Sequence, residues 1–183
     1  MDRRQRKTRR AIFLALTELL AKKDFSRITV EEIIARADVG RTTFYTHFET
    51  KEHLLKELCD DLFCHIFDCA HDNTEAHLHL FECEAPDFVF LHLFSHLKQN
   101  DNHILELLCC PNCNVFLTHF KEGLLRLVYD QKDLFEHRRS AELPEDFWAN
   151  HVASVFTETV HWWVLHGCSQ SPETISRYFM AAV

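Results

Sequence analysis

Glycine and proline are scarce, with 3 and 4 residues respectively in a chain of 183. An all-β protein needs many turns, so this scarcity argues against sheets and for helices joined by short connections. A run of about 18 apolar residues is also missing, which excludes an ordinary membrane-spanning helix and leaves no membrane partner expected. The opening MDRRQRKTRR leads into an amphipathic segment, without a continuous apolar core or a small-residue cleavage site. No secretory signal is therefore read, the expected location is cytoplasmic, and the eight cysteines are expected as thiols. H-E-x-x-H, G-x-S-x-G and a phosphate-binding loop are all absent. No catalytic residue and no cofactor is expected, and the chain does not read as an enzyme. Internal repeats and low-complexity segments are lacking as well.

What is present is bulk and charge. Hydrophobic residues make up 46% and charged residues 26%, the profile of a globular protein, and 16 Phe supply large apolar area. The net charge of -8 is unevenly spread. Residues 1–60 carry 13 Lys and Arg against 10 Asp and Glu, whereas residues 61–183 carry 7 against 18. A basic head on an acidic body suits binding to a polyanion, although a solvated charge run reads equally well from charge alone.

Helical periodicity runs through residues 3–22, where Ile12, Phe13, Leu16, Leu19 and Leu20 share a face behind a cluster of arginines that includes Arg4 and Arg6. Phe25 anchors the polar connection that follows. Thr29 and Glu32 then form the pattern T-x-x-E of a capping box, with Ile28 and Ile33 placed as a hydrophobic staple. Val30, Ile33, Ile34 and Ala37 face inward until Asp38-Val39-Gly40 breaks the helix. A short helix from Arg41 to His47 turns Phe44 and Phe48 in and Arg41, Thr42, Thr43 and Tyr45 out. This is a helix-turn-helix layout. Periodicity alone leaves a purely structural helical hairpin equally open.

Further helices are expected from Thr50 to about Asp72, Pro86 to Leu97, Asn100 or Asp101 to Cys109, Pro111 to Gln131, Pro144 to His166, and Ser171 to the end. Gly167 reads as a helix stop. Residues 73–85 are weakly patterned and 132–143 read as a polar linker.

The stretch ITVEEIIARADVGRTTFYTHFETKEHLL resembles the TetR family of bacterial regulators: the capped helix TVEEIIARA, the turn DVG, the helix end TTFYTHF, and the trailing K-E-x-L-L at Lys51–Leu55. The resemblance covers roughly residues 8–56. It implies an all-α protein with an N-terminal three-helix DNA-binding head over residues 1–49. A helical bundle for ligand sensing and dimerisation would occupy residues 50–183. It further implies a homodimer on a palindromic operator of double-stranded DNA, released by an unidentified small-molecule effector, with repression as the expected direction. Thr29, at a helix N-terminus, is placed at a phosphate. Arg41, Thr42 and Thr43 are expected in the major groove. Tyr45 and Lys51 are expected on the DNA backbone, His47 on phosphate or in support of the helix end, and Arg4 and Arg6 on backbone or minor groove.

For the body, the resemblance implies an effector pocket among the middle helices, for which Phe63, Phe67, Phe88, Phe94, Phe116, Phe120 and Trp162 are the candidate lining. Aromatics at helical spacing serve a plain core equally well. The dimer interface is expected on the last two helices, through Val152, Val155, Phe156, Thr159, Val160, Trp163, Tyr178 and Phe179. Histidine and cysteine spacing offers a rival trigger. His92 and His96 stand four apart, as do His65 and Cys69, and Cys109, Cys110 and Cys113 contain C-x-x-C. No second C-x-x-C is present, and metal is not favoured from this pattern. A metal- or thiol-responsive regulator of the same fold, a co-activator acting through a protein partner, and a metal-holding helical enzyme are the alternatives.

Overall fold

A computed structural model describes residues 3–20, 22–70, 88–99, 104–109, 114–135 and 137–183. Among the described residues the regular structure is helical, and no described helix is long and apolar enough to cross a membrane. Helix α1 spans Arg3–Leu20. It buries Ile12, Phe13, Leu16 and Leu20 along the stripe read from the sequence. A 3-10 turn over Phe25–Arg27 then drives Phe25 into the same core.

Helix α2 spans Val30–Ala37 and starts with the capping box in full. The Glu32 amide donates to Thr29 Oγ1 at 3.3 Å, and the Thr29 amide donates to Glu32 Oε2 at 2.9 Å. The helix stops at Asp38, which takes a left-handed conformation with φ 52°. Asp tolerates this region because its short polar side chain bonds locally. Helix α3, Arg41–His47, follows after Val39-Gly40 and buries Phe44, while Phe48 at its end is fully buried.

Helix α4, Lys51–Ala70, leaves the head and enters the body. Thr50 starts it by accepting the His53 amide at 3.0 Å. The body continues with α5 (Val89–Gln99), α6 (Ile104–Cys109), α7 (Asn114–Asp130), α8 (Glu145–Leu165) and α9 (Pro172–Ala182). Helix α4 packs on α7 and α5, α5 on α9, and α8 on both α7 and α9; α6 bridges α7 and α8. The end of α8 is a Schellman motif: the Cys168 amide donates to Trp163 O and the Gly167 amide to Val164 O, both at 2.9 Å. Gly167 occupies the left-handed position with φ 65° that the stop requires. Ser171 caps α9, with Pro172 in the first turn. The helix starts expected at Pro86, Asn100 or Asp101, and Pro111 lie outside the described residues.

Head and body meet at α4. Arg9 on α1 pairs with Glu57 on α4 at 2.5 Å, and its guanidinium lies 4.9 Å from the Phe48 ring. Lys51, in the first turn of α4, donates to the carbonyls of Phe25 at 3.1 Å and Ile28 at 2.9 Å. One helix is thus tied at its start to the strands of backbone that enter α2, and along its length to the body.

Candidate nucleic-acid interface

Amphipathicity sets the outward face of α3. Phe44 and Phe48, one turn apart, lock the helix to the head core through ring contacts: Phe44 to Phe48 at 5.8 Å and Phe13 to Phe48 at 5.4 Å. The opposite side therefore presents Arg41, Thr42, Thr43, Tyr45 and Thr46 to solvent. Arg41 pairs with Glu31 at 3.1 Å, with both side chains more than 60% exposed. An exposed pair of this kind contributes at most about 1 kcal/mol, so it yields readily to a stronger anion. The Arg41 guanidinium also stands 6.0 Å from the Tyr45 ring, which leans edge-on against Phe44.

Thr29 is exposed at the start of α2, but its hydroxyl is already engaged with Glu32. Any phosphate there meets the free amide ends of the first turn rather than the hydroxyl. The Glu32 carboxyl is held down at about 2, first by its hydrogen bond from Lys23 and then by the Thr29 amide. His47 is half-buried beside Phe48, and burial, then the charge of Arg9, lowers its pKa. That favours a neutral ring supporting the helix end. Arg4 is exposed and Arg6 half-buried on α1.

Lys51 is placed differently from an outward-reaching phosphate contact. Two of its three donors are committed to the Phe25 and Ile28 carbonyls, and its ammonium lies 4.6 Å from the Phe25 ring. These bonds tie the first turn of α4 to the backbone that leads into α2. The sequence carried no direct signal for this, nor for Arg9 as the second tie, because both partners lie far along the chain.

In the body, Phe63, Phe94, Phe116 and Phe120 are fully buried and pack ring against ring. Phe63 meets Phe120 at 5.2 Å, Phe116 meets Phe120 at 5.9 Å, and Phe94 stacks on Phe156 at 4.6 Å. Phe88 is half-buried against Phe90. The side chain of Phe67 lies outside the described residues. Trp162 does not join these rings: it is 40% exposed and stacks on His166 at 4.1 Å. Trp163 takes the inward position next to it, because neighbouring residues on a helix point about 100° apart. A cleft of about 230 Å³ opens elsewhere, between the end of α7 and the start of α8, lined by Tyr129, Arg139 and Trp148 among others.

The residues of the expected dimer stripe divide between the inside and the outside of the protomer, with Tyr178 half exposed. Val152, Phe156, Val160, Trp163 and Phe179 are buried inside the protomer, and Val155 and Thr159 are half-buried. A periodic stripe marks the face of a helix that must be covered, but not whether its own chain covers it. The apolar side chains left outside on α8 and α9 are Phe147, Trp162, Leu165 and Tyr178, with Leu165 83% exposed.

Of the histidine and cysteine pairs, His92 and His96 are buried on α5 and meet His65 from α4. Burial, then the neighbouring His96 and His65, pushes the His92 pKa down to about 4, so its ring is neutral at physiological pH. The side chains of Cys69 and Cys109, and residues Cys110 and Cys113 altogether, lie outside the described residues.

Comparison with known proteins identifies the family and the fold. Residues 12–58 match the family described as bacterial regulatory proteins of the tetR family, and residues 84–183 match a transcriptional regulator C-terminal region. The solved structure of a TetR transcriptional regulator from Streptococcus agalactiae is 36% identical, with a TM-score of 0.76, covering 100% of this chain and 96% of that one. The uncharacterized HTH-type transcriptional regulator YxbF of Bacillus subtilis is 25% identical across 98% of this chain and 45% of its own length. The chain thus spans less than half of that curated relative. The transcriptional regulator FadR of Bacillus subtilis, solved with stearoyl-CoA, shares the fold at 20% identity and a TM-score of 0.63, covering 93% of this chain and 95% of that one.

Proposed function

The chain belongs to the TetR family of DNA-binding bacterial transcriptional regulators, and we propose that it acts as a homodimeric repressor on a palindromic operator. The observation that carries this reading is the division of α3. Phe44 and Phe48 fasten one side to the head core, leaving Arg41, Thr42, Thr43 and Tyr45 on the other. Arg41 supplies a fork of donors suited to guanine O6 and N7, and the threonines suit base edges or a thymine methyl. Tyr45 and the amide ends of α2 behind Thr29 reach phosphates, as do Arg4 and Arg6. Lys51 directs its remaining donor to the DNA backbone while its other two hold the head.

Two heads on one operator need a two-fold partner, with recognition helices about 34 Å apart. The exposed Trp162, Leu165 and Tyr178 on α8 and α9 provide an apolar face for that partner. Release follows from α4. An apolar effector entering among Phe63, Phe94, Phe116 and Phe120 parts α4 from its neighbours, and α4 carries the head through Lys51 and Glu57. Such a ligand shifts the population towards mis-spaced heads in proportion to its preference for that state. The stearoyl-CoA bound to the Bacillus subtilis FadR supports an apolar effector class.

Selection of bound duplexes from a random pool, with reduced and metal-free protein, tests the reading. A palindromic consensus is expected. Enrichment of single half-sites without symmetry would overturn the dimer, and no enrichment at any ionic strength would overturn sequence-specific binding.

A further inference from the structure

Helices α4 and α5 each place histidine where the packing register calls for an apolar side chain. On α4, Leu58, Leu62 and Ile66 are fully buried, and His65 shares their face at 5% exposure. On α5, Val89, Leu93 and Leu97 are buried together with His92 and His96, at 2% and 1% exposure. The three imidazoles converge. Ring centroids are 5.1 Å apart for His65 and His92, 4.9 Å for His65 and His96, and 4.9 Å for His92 and His96. His92 Nε2 and His96 Nε2 are 3.1 Å apart, and one ring nitrogen from each of the three lies within 4.8 Å of the others.

Three buried imidazoles require polar partners that leucine in the same positions would not, and His92 and His96 already supply one to each other, Nε2 to Nε2 at 3.1 Å. One pair of ring nitrogens already has the spacing that a metal ion asks for, and the third lies within 4.8 Å of both. Imidazole nitrogens sit about 2.0–2.1 Å from zinc, so two of them on a tetrahedral ion are about 3.3 Å apart. The His92–His96 separation is already close to that value, as the spacing of four residues on one helix face allows. The edges to His65, within 4.8 Å, close further when an ion binds.

We propose that His65, His92 and His96 bind one divalent transition-metal ion per chain. An all-imidazole set suits zinc, copper, nickel or cobalt and not magnesium or calcium, which take oxygen. Three protein ligands leave a further position for water or another donor. The ion bridges α4 and α5, two elements separated in sequence by residues 71–88. Lys51 stands fourteen residues before His65 on α4, roughly 21 Å along the helix at 1.5 Å per residue. Metal occupancy therefore fixes the same helix that carries the head. That consequence for DNA rests on the function proposed above; the metal site does not.

The test uses the full chain, reduced and stripped with chelator, titrated with zinc chloride by calorimetry. Uptake of one ion per chain is expected, with a rise in melting temperature. Affinity should fall by about 100-fold or more in His92→Leu and in His96→Leu, each of which removes one ligand. X-ray absorption of the zinc-loaded wild-type protein reads the ligands without any variant, and a first shell of nitrogen and oxygen with imidazole scattering is expected. Sulfur in that shell, absence of stoichiometric uptake, or unchanged affinity in folded variants would each overturn the site. No DNA is present, so failure here leaves the DNA reading intact.

Discussion

The ring of Phe63 on α4 lies directly against the bare α-carbon of Gly123 on α7. A Cβ at Gly123 would stand 2.2 Å from Phe63 Cδ2 and 2.3 Å from Cε2. Glycine in mid-helix costs about 1 kcal/mol in propensity relative to alanine, so Gly123→Ala gains that much locally. Overpacking a filled core costs typically about 1–3 kcal/mol, and here the obstacle is a fully buried aromatic ring braced by Phe120. The overlap wins. Gly123→Ala should lower stability by up to about 2 kcal/mol in denaturant unfolding, and Phe63→Leu added to it should recover part of the loss. Strict additivity of the two substitutions would show that the contact does not set the α4–α7 spacing.

Lys51 holds two backbone carbonyls, of Phe25 and Ile28, in the turn that leads into α2. Lys51→Met keeps the stem over Phe25 and removes the ammonium. Hydrogen bonds to a charged group contribute about 1.5–3 kcal/mol, so a loss of about 2 kcal/mol in the stability of the head is expected. DNA affinity should fall for every sequence alike. Loss of DNA affinity with unchanged amide exchange in α2 would make Lys51 a phosphate contact alone.

Arg41 and Tyr45 should separate by kind of effect. Arg41 needs only to leave an exposed partner, Glu31, to reach a base. Arg41→Ala should relax preference at one base pair by about 1–3 kcal/mol. Tyr45→Ala should weaken binding uniformly, and overall affinity should fall steeply with salt as counterions are released. Repeating the duplex selection with each variant measures both, and an unchanged consensus with Arg41→Ala would remove Arg41 from base readout.

Local grammar made the head legible from sequence. The Thr29–Glu32 capping box, the Asp38 turn and the Phe44–Phe48 spacing are short-range patterns, and each has the geometry that its residues imply. The body was legible only as helices. Val152, Phe156, Val160, Trp163 and Phe179 read as a stripe to be covered, and within the chain Phe156 meets Phe90 and Phe94 of α5, Phe120 of α7 and Phe179 of α9. Trp162 and Trp163 are adjacent letters with opposite fates, decided by a rotation that aromatic content does not reveal. The His65, His92 and His96 cluster was visible in halves. Each half sat in an apolar register, but the pairing of α4 with α5 is tertiary information.

Glu32 makes the head sensitive to acid. Its carboxyl falls from an ordinary value near 4.5 to about 2, through Lys23 first and the Thr29 amide second. A depressed folded value means a contribution fully present above about 4.5 and lost progressively as pH falls towards 2. The difference in melting temperature between wild-type protein and Glu32→Gln should therefore shrink across that window and be constant above it. A difference that stays constant down to the lower end would show that the carboxylate charge adds nothing to the capping box.

The last expectation concerns which face of α8 and α9 meets a partner. Leu165 is 83% exposed and Tyr178 50%, whereas Val152 is fully buried. Leu165→Glu places a charge on the outward apolar face and leaves the protomer core untouched. Burying that charge in an interface should cost about 2 kcal/mol or more, roughly a 30-fold weaker dimer, with melting of the protomer little changed. Val152→Ala should do the reverse, lowering stability by about 1–2 kcal/mol through lost burial while the dimer persists. Sedimentation velocity across a dilution series distinguishes the two variants. If Leu165→Glu remains as dimeric as wild type, the partner face lies elsewhere. If it becomes monomeric and also loses operator binding, pairing of protomers through α8 and α9 is what brings two copies of α3 onto one operator.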